Sequence, residues 1–230
     1  MSHAERLLPT DPPLALVLRR SARARRFTLR VSRSDGRVVL TLPMDAREAE
    51  GLAFAISRAG WIRSVQAGAG SRQRVGFGAA LPVDGVALTV TPAAVKVPRI
   101  EGAALLVPSA ADPGRLLATW LRHRARARLA AASAHYAARL GRQVGGIVLR
   151  DTRSRWGSCS ATGRLMFSWR LMMAPPAVAD YVAAHEVAHL AQMNHSPAFW
   201  AEVRALMPGY AAHRAWLRRH GPSLQAWDFA

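Results

Sequence analysis

Cysteine and lysine are almost absent from this sequence. Cys159 is the only cysteine among the 230 residues, which excludes an intramolecular disulfide and suits a reducing compartment. Lys96 is the only lysine, so arginine supplies nearly all of the positive charge behind a formal net charge of +18. Such a charge favours anionic partners, including nucleic acid, nucleotides or anionic surfaces, although a solvated basic surface would give the same composition.

Long apolar runs are also missing. No stretch approaches the roughly 20 apolar residues that cross a bilayer. The N-terminus does not have the pattern of a secretory signal, because Glu5, Pro9 and Asp11 precede any apolar run. We therefore expect a cytoplasmic protein with no membrane partner. The length allows one domain or two modest ones, and nothing in the sequence indicates the oligomeric state.

The most informative stretch is Asp180 to His195, which contains His-Glu-x-x-His. Residues four apart share a face of an α-helix, so His185 and His189 can present their imidazoles to one point. Two neutral imidazoles at this spacing suit Zn²⁺. Glu186 projects beside that face, where it can reach a water on the metal without binding the metal. The pattern predicts a metallohydrolase in which Glu186 is the general base.

The residues after this motif suggest a third ligand. Residues 177–193 are predicted to form a helix that ends at Asn194 in the left-handed conformation. Ser196 and Pro197 favour the start of a following helix. His195 would then lie in a tight turn between two helices, from which its side chain can fold back to the metal.

The first half of the chain is predicted to be a small β-rich module with one helix. An alternating stretch over 27–31, an Asp35-Gly36 turn and residues 37–42 indicate a hairpin rich in arginine. Residues 45–66 indicate one helix with Asp45 as its N-cap. A second hairpin is predicted around Asp84-Gly85. We place the domain boundary near Pro108 to Gly114, which gives domains 1–110 and 111–230.

The second half is predicted to be α+β. A long helix over 115–140 precedes three short strands, at 147–151, 155–160 and 164–170, which we expect to form a small antiparallel sheet. The His-Glu-x-x-His helix, a second helix and a last helix over 211–220 follow. Arg155 and Arg170 flank these strands, where they could bind an anionic group or pair with Asp151 and Asp180.

Several short motifs together resemble the YgjP-like metallopeptidase family, which is akin to SprT-like zincins. The matching segments are Arg155-Trp156-Gly157-Ser158-Cys159-Ser160, Phe167-Ser168-Trp169-Arg170-Leu171, Ala174-Pro175, Tyr181-Val182, His185-Glu186-x-x-His189-Leu190 and Asn194-His195-Ser196-x-x-Phe199-Trp200. The resemblance implies a zincin-like catalytic domain in which His185, His189 and His195 bind zinc and Glu186 is the catalytic carboxylate. Glu202 is the alternative third ligand, because a downstream glutamate has this role in gluzincins.

Three functions remain open at this point. The first is a zinc metallopeptidase acting on a protein or peptide. The second is a metal-dependent hydrolase of nucleotide phosphoanhydrides or phosphodiesters, which the arginine excess would favour and the lack of an obvious carboxylate cluster disfavours. The third is a basic module that associates with nucleic acid and carries structural zinc. Structural zinc usually has four protein ligands, and only three good ones are evident. Cys159 is a possible fourth, although an inert buried thiol is simpler.

Overall fold

The computed structural model describes residues 3–32, 36–67, 73–152 and 154–230, which form two compact units. Unit 1 is 1–72 and unit 2 is 73–230. The described residues contain six α-helices and four small sheets, so the protein is a mixed α/β protein. None of the helices in these ranges combines the length and the apolar character needed to cross a membrane.

Unit 1 is a four-stranded sheet with two helices. Its strands are β1 His3–Leu8, β2 Leu14–Arg20, β3 Thr28–Val31 and β4 Val38–Leu42, in the order β1-β2-β4-β3. Its helices are α1 Glu48–Ser57 and α2 Ala59–Ala67. Leucine at every second position of β2 is buried, as expected for a strand with one face on a core. The core of this unit is separate from that of unit 2.

The predicted arginine-rich hairpin is confirmed, because β3 and β4 pair antiparallel from Thr28↔Thr41 to Val31↔Val38. Asp35, which was assigned to its turn, lies outside the described residues. The predicted single helix over 45–66 is instead two helices, α1 and α2. Arg47 is the N-cap of α1 and makes no side-chain hydrogen bond to it, so the predicted Asp45 cap is wrong.

Unit 2 begins with a second four-stranded sheet. Its strands are β6 Ala80–Val83, β7 Val86–Ala93, β8 Arg99–Glu101 and β9 Ala104–Pro108, in the order β6-β7-β9-β8. The short strand β5 Gln73–Arg74 precedes them. The predicted second hairpin is confirmed by the antiparallel β6–β7 pair, with Asp84 and Gly85 at φ of 51° and 83° in its turn.

The division between the units differs from the predicted boundary near residue 110. The second sheet shares one core with the helices that follow it, because Leu81, Val90, Leu105, Leu117 and Leu121 are all fully buried in a single cluster. The backbone N–H of Asp84 also donates to the carbonyl oxygen of Met172 at 2.9 Å. The sheet over 80–108 therefore belongs with the second half of the chain, and Pro108 to Gly114 is a connection within one unit.

The long helix α3 Pro113–Leu140 crosses unit 2. Asp112 caps it, since its side chain accepts a hydrogen bond from the backbone N–H of Arg115. Gly141 ends it at φ 64°. Arginines on α3 bind acids from elsewhere in the unit: Arg128 pairs with Asp180 at 2.9 Å, and Arg124 pairs with Asp84.

Three short strands form the sheet beside the site. They are β10 Gly146–Arg150, β11 Gly157–Cys159 and β12 Arg164–Ser168, in the order β10-β12-β11. The sheet is mixed, so the prediction of an antiparallel sheet is wrong: β10 runs parallel to β12, and only β11 is antiparallel to it. Strand β12, whose Leu165 and Phe167 are buried, is the central strand. The chain between β10 and β11 then has to cross to the far edge.

The remaining elements surround the His-Glu-x-x-His helix. A 3-10 helix, Trp169–Met173, leads into α4 Pro176–Ala188, and α5 Pro197–Leu206 and α6 Tyr210–Gln225 follow. The last strand, β13 Trp227–Asp228, pairs parallel with β5. Helix α4 contacts α3, β11, α5 and α6, and nine of its thirteen residues are buried. Val182 and Phe199 are buried, and Leu190 is partly buried against the same core.

Candidate metal centre and active site

Helix α4 places His185 and Glu186 on its last turn, and His189 is its C-cap. The helix is shorter than the predicted 177–193, because residues 190–192 donate their backbone N–H groups to Val187 and Ala188 in a closing turn. Asn194 is not left-handed as predicted. Its side-chain oxygen instead accepts a hydrogen bond from the backbone N–H of Ser196, in an Asx turn.

The turn between α4 and α5 brings His195 back to the two helix histidines. The start of α5 is as predicted, with the Ser196 hydroxyl accepting from the backbone N–H of Phe199 and Pro197 in the first turn. The Nε2 atoms of His195 and His185 are 3.2 Å apart. One ligand atom from each of His185, His189 and His195 lies within 4.8 Å of the others. Among the described residues, neither Glu202 nor Cys159 joins this group.

The protonation states of the helix histidines suit metal ligands. The Nδ1 atom of His189 lies 2.9 Å from the carbonyl oxygen of Gln192. A carbonyl oxygen can only accept, so Nδ1 carries the proton and Nε2 keeps a free lone pair. Burial, together with the neighbouring His189, His195 and Arg214, lowers the pKa of His185 to about 3. Burial also lowers the pKa of His189. Both shifts favour the neutral imidazole, which is the form that binds a metal.

One pair of donor atoms has the separation expected at a tetrahedral metal. At a Zn–N distance of about 2.05 Å, two ligand nitrogens on a tetrahedron are separated by about 3.3 Å. The 3.2 Å between His185 Nε2 and His195 Nε2 matches that separation. Three imidazoles leave one tetrahedral position open, which is the feature that distinguishes catalytic from structural zinc sites.

Glu186 lies next to this group and is 5% exposed. It lines a cavity of about 230 Å³ with His185, Tyr181, Arg155 and Trp156. Burial raises the pKa of the Glu186 carboxyl to about 8, and the positive charge of Arg155 partly offsets that rise. A buried carboxyl in a cavity beside three histidines is able to take up and release a proton near neutral pH.

Gly157 is a site residue whose role the sequence did not reveal. A Cβ atom at this position would lie 2.5 Å from Oε1 of Glu186 and 2.6 Å from its Cγ. Glycine therefore lets the edge strand β11 approach the carboxylate closely. No local signal marks this requirement, because it arises between residues 29 positions apart.

A series of stacked aromatic rings ends on His195. Tyr181 stacks on Tyr210 at 6.3 Å, and Tyr210 stacks on Trp200 at 5.5 Å. Trp200 also stacks on His195 at 5.9 Å, and the Arg214 guanidinium lies 4.4 Å from the Trp200 ring centre. Trp169 and Phe199 are buried and serve packing. Trp156 is only partly buried and lines the cavity.

The two arginines that flank the sheet have different surroundings. Arg170 is 5% exposed and pairs with Asp151 through two hydrogen bonds of 2.6 and 3.2 Å. The other acid considered as a partner, Asp180, pairs with Arg128. Arg155 is exposed and forms no ion pair with any residue in the described ranges. Its positive charge lowers the pKa of the Glu186 carboxyl group and so partly offsets the effect of burial.

Comparison with known proteins identifies the family of this chain. Residues 25–220 match the family described as YgjP-like, metallopeptidase domain. The crystal structure of the metallopeptidase zymogen of Pyrococcus abyssi abylysin is similar at 24% identity, covering 40% of this chain and 92% of that one with a TM-score of 0.36. No curated protein matches.

The family match spans most of the sequence, so this chain belongs to the YgjP-like metallopeptidase family. The resemblance inferred from the short motifs is confirmed. A metallopeptidase is a hydrolase and requires a metal, and His185, His189 and His195 are the described residues that could hold one.

Proposed function

We propose that this protein is a zinc-dependent peptidase in which His185, His189 and His195 hold the metal and Glu186 is the general base. The observation that carries the proposal is the convergence of three imidazoles beside one buried carboxyl group at a cavity. Family membership supports a protein or peptide as the substrate. A zinc ion in this site would act as a Lewis acid that polarises the scissile carbonyl and lowers the pKa of water.

The chain contributes fixed ligands. The hydrogen bond from His189 Nδ1 to Gln192 orients that ring, and the stack of Trp200 on His195 orients the third. Zinc is favoured over magnesium or calcium because all three donors are nitrogen. Three donors also argue against a purely structural site, which would have four.

Glu186 contributes proton transfer. Its carboxylate accepts a proton from the attacking water and passes it to the leaving amine as the peptide bond breaks. Its neighbour Gly157 leaves no Cβ in the way, so the carboxyl group can lie against the strand that borders the cavity. That strand, β11, is an edge strand, which an extended peptide can approach.

Metal analysis of purified variants tests the ligands. We expect one zinc per chain, and we expect His185→Ala and His189→Ala to lose stoichiometric zinc. His195→Ala should also lose it, while Glu202→Ala should keep it. If His195→Ala keeps full metal and Glu202→Ala loses it, the third ligand is Glu202.

Glu186→Gln tests the mechanism, because glutamine is nearly isosteric and cannot take the proton. We expect a folded, zinc-loaded protein whose turnover is lower by about 10²- to 10⁴-fold. The assay compares cleavage of a denatured, alkylated protein with hydrolysis of nucleoside triphosphates, each with and without a chelator. Wild-type turnover in this variant would refute the role of Glu186. Chelator-sensitive hydrolysis of the triphosphates alone would refute the peptidase assignment.

A further inference from the structure

A second cleft adjoins the cavity of the site and is lined by arginine. Its volume is about 320 Å³. It lies on the face of the three-stranded sheet opposite the buried Leu165 and Phe167. Its lining residues include Arg150, Arg155, Arg164, Val148, Met166 and Ser158.

Strand register explains why these side chains meet. Met166 of β12 is paired with Val148 of β10 on one side and with Ser158 of β11 on the other. Side chains two apart in a strand share a face, so Arg150 and Arg164 lie on the same face as this row. Val148 and Met166 provide an apolar floor, and the arginines and Ser158 provide polar groups.

The positive charge of this cleft is not neutralised by the described residues. No aspartate or glutamate among them lines it. Asp151, the acid that follows Arg150 in the chain, is bound to Arg170. Within the same ranges, the guanidinium groups of Arg150, Arg155 and Arg164 form no ion pair. Three arginines converging on a concave surface without a carboxylate form a site that is complementary to an anion.

The cleft is connected to the catalytic residues through β11. Arg155 lines both this cleft and the cavity that holds Glu186. Gly157 lies against Glu186, and the next residue, Ser158, lines the cleft. Arg155 is therefore the point at which a polypeptide bound beside Glu186 can continue past the edge strand β11 into the cleft.

We propose that this cleft, with Arg150, Arg155 and Arg164, binds acidic side chains of the polypeptide substrate next to the scissile bond. The inference rests on the proposed peptidase function and gives it a substrate class, segments rich in aspartate or glutamate. Carboxylates match the guanidinium fork in two-point hydrogen bonds. Single-stranded nucleic acid is a poorer match, because such sites combine positive charge with rings that stack on bases, and no aromatic side chain of the described residues lines this cleft.

A binding experiment tests the cleft without any requirement for turnover. Three fluorescent decamers, an oligoglutamate, an oligoserine and an oligothymidylate, are titrated into zinc-loaded full-length protein at fixed salt, and anisotropy is recorded. The cleft variant is Arg150→Ala/Arg164→Ala. The control is Arg126→Ala/Arg204→Ala, two exposed arginines that line neither cavity and change the net charge equally.

We expect the oligoglutamate to bind more tightly than the oligoserine. The cleft variant should bind the oligoglutamate about tenfold more weakly, while binding by the control variant changes less than about twofold. Equal losses in both variants would mean attraction by net charge alone and would overturn the proposal. Tighter binding of the oligothymidylate that is lost in the cleft variant would assign the cleft to nucleic acid instead.

Mapping of cleavage sites by mass spectrometry then separates this proposal from the peptidase function. In a digest of denatured proteins, the wild type should cut beside aspartate and glutamate. The cleft variant should cut without that preference. Absence of any cleavage would refute the peptidase function and leave the binding result standing. Cleavage without an acidic preference in the wild type would refute the substrate class only.

Discussion

The buried guanidinium of Arg170 connects three parts of unit 2. It donates to both carboxylate oxygens of Asp151 and to the backbone carbonyl oxygens of Leu224 and Trp227 at 3.2 and 2.8 Å. It also lies 4.9 Å from the ring centre of Trp169. One side chain therefore joins the three-stranded sheet to the end of α6 and to the last strand.

Replacing Arg170 by methionine should destabilise unit 2 by about 2–4 kcal/mol, because the carboxylate and two carbonyl groups lose their donor. Urea unfolding followed by tryptophan fluorescence measures this, since six of the seven tryptophans lie in unit 2. Arg126→Met, at an exposed position with no ion pair to another described residue, is the control and should change the free energy of unfolding by less than about 0.5 kcal/mol. Equal urea midpoints for Arg170→Met and Arg126→Met would contradict the stabilising role of Arg170.

At the scale of single residues, the sequence predicted those site residues whose arrangement depends only on their spacing within one helix. His185, Glu186 and His189 were recognisable because a helix repeats about every 3.6 residues. The nearness of His195 followed from the capping residues around it. Gly157 and the opposite surroundings of Arg155 and Arg170 were not predictable, because each depends on side chains that only the tertiary fold brings together.

The close approach of β11 to α4 constrains the position of the Glu186 carboxyl group. Gly157→Ala would place a methyl group 2.5 Å from Glu186 Oε1, so either the side chain or the strand has to move. We expect peptidase turnover to fall by about tenfold or more, since a displacement near 1 Å can cost on the order of 10²-fold. Zinc content should not change, because the three histidines are not displaced.

Gly209→Ala is the matched control for this substitution. Its φ is −84° and nothing lies within 4 Å of the added methyl group, so turnover should remain at the wild-type level. Steady-state kinetics on the same denatured protein measures both variants. Wild-type turnover in Gly157→Ala would show that the contact does not constrain Glu186.

Removal of a metal from the proposed site should destabilise the turn between α4 and α5, because His195 approaches His185 and His189 only from that turn. Zinc at about 100 times its dissociation constant should add about 2.7 kcal/mol to the stability of the folded protein. Thermal unfolding with zinc and with a chelator measures the difference. His185→Ala is the control and should show little shift with zinc. Identical melting curves of the wild type in both conditions would argue against a site that spans the two helices.

Among the elements, prediction succeeded where the signal is local. The β3–β4 and β6–β7 hairpins and helix α3 follow from turn residues and apolar periodicity. The parallel pairing of β10 with β12 was missed, because the order of strands depends on which strand is buried on the core. The two-residue strands β5 and β13 are too short for a periodic signal and exist only as each other's partner.

The division of the whole molecule leads to a prediction about fragments. A chain of residues 73–230 should fold cooperatively and bind zinc, because it contains one complete core. A chain of 111–230 should not, because it lacks the buried side chains of the second sheet, Leu81, Val83, Leu88, Val90, Leu105 and Val107. Circular dichroism during urea unfolding distinguishes them. Cooperative unfolding of the 111–230 fragment would instead support a domain boundary near residue 110.

The sequence predicted a domain boundary near residue 110 because Pro108 to Gly114 has the composition of a linker. Composition predicts that a segment lacks regular secondary structure. It does not predict the tertiary packing of the segments on either side. The shared core of the second sheet and α3 is a long-range property, and the arrangement of β6 to β9 against Leu117 and Leu121 becomes evident only in three dimensions.

The pairing of β5 with β13 brings the two ends of unit 2 close together. Gln73 lies beside Trp227, and Arg74 beside Asp228, so the first and last strands of this unit are neighbours. A short glycine linker could join residue 230 to residue 73, and new ends could be opened in the exposed turn at Ala161 and Thr162. Unit 2 is therefore suited to circular permutation, in which the order of its elements along the chain changes while their contacts are retained.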